Sequence, residues 1–225
     1  MGNLGESLME ELTCETVFTV GGIGISESVV VTWIIMAVFL IAALLLTRNL
    51  KVENPGRGQL MLEYAITWLQ GVVEGIIGEE GKEYVPYLAS ILIYIGTANL
   101  IGIFGFKPPT KDLNVTVGLA LMSIVLIQIA GIRKRGVKGW LKSFTEPVAI
   151  VTPINILELV IKPLSLCMRL FGNVLGAFVI MKLIEYVLPV GLPVVCSMYF
   201  DLFDGLIQAY VFVFLTGLFI KENIE

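Results

Sequence analysis

Arg169 is the residue with the most chemistry to account for. It stands within residues 164–176, LSLCMRLFGNVLG, an otherwise apolar stretch with helical spacing. A guanidinium stays charged at any usable pH, so this position carries a permanent positive charge. At bilayer depth such a charge costs about 2.5–3.5 kcal/mol on insertion scales. Residues three and four apart share a helix face. Glu158, Lys162, Ser165, Arg169, Asn173 and Gly176 follow that spacing and form one polar or small stripe. Ser197, Asp201, Asp204 and Gln208 form a second. Intramembrane ionisable residues usually face a bundle interior or an aqueous cavity, so the stripes point to an ion pathway or a charged partner. The alternative is a buried ion pair between Arg169 and one aspartate that ties two helices together. Such a pair is often no more stabilising than apolar packing. It would also leave the second aspartate and Glu158 without a role.

Gly172 and Gly176 make a small-xxx-small step beside Arg169. In membranes that step lets another helix approach closely. It serves either packing within the chain or a smooth face along which a partner helix passes, and spacing does not choose between them.

What is missing narrows the chemistry further. Histidine is absent, which removes the commonest metal ligand and the side chain that ordinarily titrates near neutrality. Proton chemistry here must therefore use carboxylates. No GxxxxGK[ST] loop, GxGxxG turn, HExxH helix or Ser-His-Asp set occurs. The expectation is a chain that is not an enzyme by itself and carries no cofactor or metal. Cys14, Cys167 and Cys196 are an odd number without paired spacing, read as bystanders.

These stripes must be positioned by membrane helices. The chain has 225 residues, 56% hydrophobic and only 15% charged, with mean hydropathy +0.89. Globular domains are nearer a quarter charged, so the fold class is an all-α integral membrane protein. Residues 28–47, 84–106 and 113–132 are uncharged runs long enough to cross a core of about 30 Å. Residues 153–188 and 193–220 are two further crossings that carry the stripes and are over-long for upright spans. The first would extend about 54 Å at 1.5 Å per residue. It must tilt, kink near Pro163 or run partly along the interface. Residues 59–78 mix polar and apolar positions at helical spacing, as an interfacial amphipathic helix does.

Domain organisation is then a tail over 1–27 and a single membrane domain over 28–225. The tail is acidic and lacks the positive start of a signal peptide. Ten lysines and arginines fall on one side of this layout and two, Lys107 and Lys111, on the other. The positive-inside rule puts the N-terminus outside and the C-terminus in the cytoplasm. Arg133, Lys134 and Arg135 directly follow a span, where lipid phosphates rather than nucleic acid explain them.

The segment 162–176, KPLSLCMRLFGNVLG, resembles the signature of the a subunit of F-type ATP synthases, whose usual form is close to KPLSLSLRLFGN. The arginine, the following LFGN and the preceding KP-x-SL fall in register. LIQAYVFVFLT around Gln208 resembles the family's glutamine-aromatic run, and PPTKDLNVT resembles its loop before the third span. The resemblance covers most of the chain beyond the tail.

It implies an ion-conducting stator beside a rotating ring of c subunits, with peripheral-stalk b subunits and the other synthase subunits as partners. It implies two offset half-channels for protons or sodium ions, in the plasma membrane of a bacterium. Arg169 matches the essential arginine that faces each ring carboxylate in turn. Asn173 and Gln208 match polar neighbours of the ion path, and Glu158 an acid ahead of the KP step. Gly172 and Gly176 would face the ring. The chain departs from the family at one pair of positions. A glutamate often stands nine residues after the arginine and a histidine seven before the glutamine; here they are Phe178 and Asp201. Asp201, Asp204 and Glu185 are the substitutes, with Lys162, Ser165 and Ser197 beside them. The competing readings are a stand-alone secondary transporter with Arg169 as an anion site, and a purely structural scaffold. Internal repeats often mark the transporter class, and none is seen.

Overall fold

A helix that is apolar all round has no soluble side, and most of this chain is built from such helices. The structure is a computed structural model. It describes residues 16–20, 23–48, 50–51, 55–104, 108–143, 150, 152–187 and 191–224, with the side chains of 16–18, 20, 23, 192, 194 and 201 left aside. Cys14, Lys107 and the turn residues 188–190 lie outside this set. An antiparallel hairpin, β1 (Thr16–Val20) and β2 (Ile23–Ser26), precedes the helices. This short ribbon in the tail is an addition to the all-α expectation.

Seven α-helices follow among the described residues. They are α1 (Glu27–Thr47), α2 (Arg57–Ile77), α3 (Val85–Leu100), α4 (Leu113–Ser143), α5 (Thr152–Val187), α6 (Leu192–Ser197) and α7 (Gly205–Ile224). A π-helical segment, Met198–Asp204, joins α6 to α7 without a break. Six helical stretches among the described residues are long and apolar enough to cross a membrane. Arg57–Ile77 is the least apolar of them. Its Val73 and Ile77 are buried while Leu60, Met61, Tyr64 and Trp68 are exposed. It therefore docks by its last turns and not along its length.

The core runs between α3, α4, α5 and α7, through Leu88, Ile95, Ile127, Leu166, Leu170, Phe212, Val213 and Ile220. Lipid tails are as apolar as leucine, so close packing rather than water exclusion holds membrane helices together. Small residues supply it. A Cβ on Gly217 would lie 3.0 Å from Ile76, and one on Gly205 would lie 2.9 Å from Asn99. Helix α1 stands apart, held by Val31 and Ile35 against Ala98 and by Thr32 and Tyr94 sharing a 3.0 Å hydrogen bond.

Helix α4 outlasts the expected span end at residue 132. Its basic residues are good helix formers, and the chain bends only at Gly136, where φ is 71° and glycine has no Cβ to clash. Trp140 then donates to Gln128 at 2.9 Å, folding the basic end back on the span. Helix α5 runs through Pro163 as one 36-residue element. At one end of the bundle Lys134 pairs with Glu80 at 2.8 Å and Arg133 with Glu83 at 3.6 Å. Lys111 and Asp112 are buried at the other, where Ser26 donates to the Asp112 carboxylate at 2.8 Å.

Candidate functional site

Helix α5 has one packed edge and one open face, and the expected site residues divide between them. Leu166, Cys167 and Leu170 are buried against the bundle. Leu164, Met168, Arg169 and Gly172 are exposed. A Cβ on either Gly172 or Gly176 would meet nothing within 4 Å. No described residue gives Arg169 a hydrogen bond or an ion pair. Its guanidinium thus lies at the rim of an open helical face, with a smooth step of glycines beside it. The inward ion pair with an aspartate is not formed with any described side chain.

Asn173, one turn beyond Arg169, turns inward. Its Nδ2 donates to the Asp204 carboxylate at 2.7 Å, tying α5 to the π-helical segment. Both line a cavity of about 870 Å³ between the end of α3, the loop before α4, the second half of α5 and the α6–α7 rod. Ser197, Gln208, Glu185 and Lys182 share its wall. Lys182 and Glu185 pair at 3.2 Å. The Gln208 side chain is 6% exposed and its Nε2 has no hydrogen-bond partner among the described groups. A buried donor left so is costly unless water reaches it, and the adjoining cavity, with Asn173, Ser197 and Asp204 in its wall, has room for such a water. The side chain of Asp201 lies outside the described residues, so its backbone alone, within Met198–Asp204, is placed.

The remaining expected residues sit elsewhere. Lys162 pairs with Glu158 at 3.4 Å and with Glu222 at 3.0 Å, closing α5 against the end of α7. Ser165 is half-buried between that group and Arg169. The long stripe on α5 is therefore a boundary. It straddles the line between packed and open surface, with charge pairs at one end and the cavity at the other.

Several contributors were not expected from spacing. Lys111 is buried, and its Nζ stands 3.3 Å from the centre of the Phe178 ring, a cation–π contact at the cavity wall. The position where the related signature often has a glutamate is thus filled by an aromatic ring under an ammonium. Asn99 and Thr110 form a second network, with Thr110 Oγ1 donating to Asn99 Oδ1 at 2.7 Å and Asn99 Nδ2 to the Gly205 carbonyl at 2.9 Å. A polar residue inside an uncharged span was the one available signal for Asn99. Lys111 was marked only by its charge and by lying within PPTKDLNVT, the loop that resembles the family's, and neither signals its burial.

The geometry offers an open face with one charge on one side of α5 and a cavity with several polar side chains in its wall on the other. Comparison with known proteins adds the following. The profile of the family described as ATP synthase A chain matches residues 29–221. A protein of Moorella thermoacetica named ATP synthase subunit a is 40% identical over 210 residues, covering 93% of this chain and 95% of its own length. One of Bradyrhizobium named ATP synthase subunit a 2 is 34% identical over 210 residues, 93% of each. A third, from Propionigenium modestum, is named ATP synthase subunit a, sodium ion specific, and is 31% identical over 219 residues, with 90% of this chain and 75% of its own covered.

Proposed function

The chain belongs to the ATP synthase A chain family, and from that premise we propose that it is the ion-conducting stator of a rotary synthase, passing ions to and from a ring of c subunits. It is a multi-pass membrane subunit of that complex. The observation that carries the mechanism is the division of α5: an exposed Arg169 with no ion-pair partner among the described side chains on the open face, and a cavity with polar groups in its wall reached through Asn173.

A carboxylate carried on a neighbouring rotor helix is protonated, or holds its ion, while it faces lipid, because desolvation disfavours the charged form. Opposite Arg169 the fixed cation favours ionisation, so the ion leaves into one aqueous dead end. Once past the arginine the carboxylate reloads from the other. The 870 Å³ cavity is the outer dead end on this reading. The region of Ser165, Glu158 and Lys162 borders the inner one. Because the two do not meet, ions cross only as the ring turns. One elementary charge across 100 mV supplies about 2.3 kcal/mol, and several such steps drive synthesis in the nucleotide-binding sector. Protons and sodium ions both fit this scheme. The host membrane is the plasma membrane of a bacterium, with the N-terminal tail outside and the basic ends of α4 and α7 in the cytoplasm. Peripheral-stalk b subunits and the other synthase subunits complete the assembly.

The test is cross-linking from the open face. With native cysteines replaced, Leu164→Cys and Met168→Cys should each cross-link to the small c subunit in the purified complex. The absence of such products, or ion transport by the purified chain alone in liposomes, would overturn the reading in favour of a stand-alone carrier. Within the path, Asp204→Asn removes a charge from the cavity while keeping a partner for Asn173. ATP-driven pumping should fall about tenfold, the effect of one lost charge-assisted step, with subunit content unchanged. Normal flux in that variant would take Asp204 off the path.

A further inference from the structure

One buried polar side chain near the cavity acids has no assigned role. Asn99, 4% exposed, lies at the end of α3 and joins two elements. Its amide nitrogen donates to the carbonyl of Gly205, and its amide oxygen accepts from Thr110, itself fully buried. Gly205 is the residue directly after Asp204, at the point where the π-helical segment passes into α7. The Gly205 N–H is shared between the Leu202 carbonyl, three residues earlier, and the Phe200 carbonyl, five residues earlier, the latter being the π pattern. A π turn takes in about one residue more than an α turn, so it rotates everything on one side by roughly 100° relative to a continuous α-helix. Such π turns are rare, occur mostly as short insertions within α-helices, and are frequent at functional sites. The contact at Gly205 is close enough to exclude any side chain there, since a Cβ would lie 2.9 Å from Asn99 Cβ.

We infer that Asn99 is a positioning residue for the ion path: together with Thr110 it clamps the π-to-α junction and thereby aims Asp204 at Asn173. The inference rests on the proposed path for its consequence, but not for its geometry. On one side of the junction α7 is fixed by Phe212, Val213 and Ile220 in the core. On the other, Asp204 meets α5 through Asn173 alone among the hydrogen bonds of the described side chains. The carbonyl adjoining Asp204 is therefore the place where a small loss of registration is felt first. Loss of the Asn99 amide leaves that segment free to relax toward ordinary α-helical winding, carrying the carboxylate away from Asn173.

The experiment reads geometry and flux separately in the intact synthase. In a chain whose native cysteines are replaced, Asn173→Cys and Asp204→Cys are paired and the yield of oxidative cross-linking is measured. Adding Asn99→Leu should cut that yield about tenfold, the population shift of one lost buried hydrogen bond. In the chain with Asn173 and Asp204 intact, the same Asn99→Leu should lower ATP-driven ion translocation by a similar factor. Adding Asp204→Asn to it should lower the rate no further, since both act through one carboxylate. Gly205→Ala displaces Asn99 from the other side and should reproduce both effects. An unchanged cross-linking yield overturns the clamp whatever the flux does. A reduced yield with unchanged flux leaves the clamp standing and removes Asp204 from the proposed path. Failure of both Asn99→Leu and Gly205→Ala to assemble would assign the junction to folding alone and overturn the inference.

Discussion

Replacing Arg169 by alanine should abolish coupled turnover while leaving the subunit in the complex. Synthesis driven by an imposed ion gradient and ATP-driven pumping should both fall by on the order of a hundredfold or more. A neighbouring cation lowers a carboxylate pKa by about 1–3 units, each unit being tenfold in ionised population. Without Arg169 a rotor carboxylate would have no site at which losing its ion is favoured. Passive leak should rise at the same time, since the fixed charge that separates the two dead ends has gone. Assembly should hold, because Arg169 is exposed and makes no hydrogen bond or ion pair with a described residue. A helix-tying ion pair makes the opposite forecast, in which Arg169→Ala lowers subunit content and leak is unaffected. Purified complexes assayed for stoichiometry, pumping and leak separate the two. Arg169→Lys should rescue only partly, since an ammonium is a compact point charge without the planar guanidinium fork.

The helical spacing around Arg169 was readable because the pattern demands only that residues three and four apart share a face. In the structure Asn173 of that stripe and Ser197, Asp204 and Gln208 of the second line one cavity. Spacing alone could not say where the packed edge of α5 ends. Arg169 and Asn173 are neighbours on one stripe, yet one is exposed and the other bonds inward. That division depends on Leu166, Cys167 and Leu170 packing on the bundle, a tertiary fact. The π-helical segment was equally hidden. A period of 3.6 is assumed when positions 197–208 are read as a stripe, and one additional residue in a turn leaves no mark in composition. Its support comes from Asn99, some hundred positions away in sequence. The site of Lys111 shows the same limit from the other direction. A loop lysine counts toward orientation by charge alone, whereas its burial against Phe178 needs the fold. Most helix bounds follow the apolar runs to within a few residues, because uninterrupted apolar length is set by bilayer thickness rather than by partners, and Arg57–Ile77, expected at the interface, is a sixth stretch long and apolar enough to cross. The exception was α4, where the basic extension kept helical geometry up to Gly136.

A phenylalanine at Gly172 should stop the motor without unfolding the stator. The glycines of this chain fall into two kinds. At Gly217 a Cβ would stand 3.0 Å from Ile76, so Gly217→Leu overpacks the bundle, at about 1–3 kcal/mol. That variant should lower the amount of subunit in the membrane. At Gly172 a Cβ would meet nothing of this chain within 4 Å, so bulk there has no intrachain penalty. If the open face of α5 were simply covered by lipid, Gly172→Phe would be silent, since lipid yields to a ring as readily as to a leucine. If a rotor helix passes within close-packing distance, a phenyl ring beside Arg169 holds it several ångströms off. Coulomb attraction then weakens with distance, and the carboxylate no longer reaches the guanidinium. Pumping should fall to background at normal subunit content, and the cross-links from Leu164→Cys and Met168→Cys should fade with it. Wild-type pumping in Gly172→Phe would mean that nothing needs to come close to that face, and the rotor would have to be sought elsewhere on the bundle.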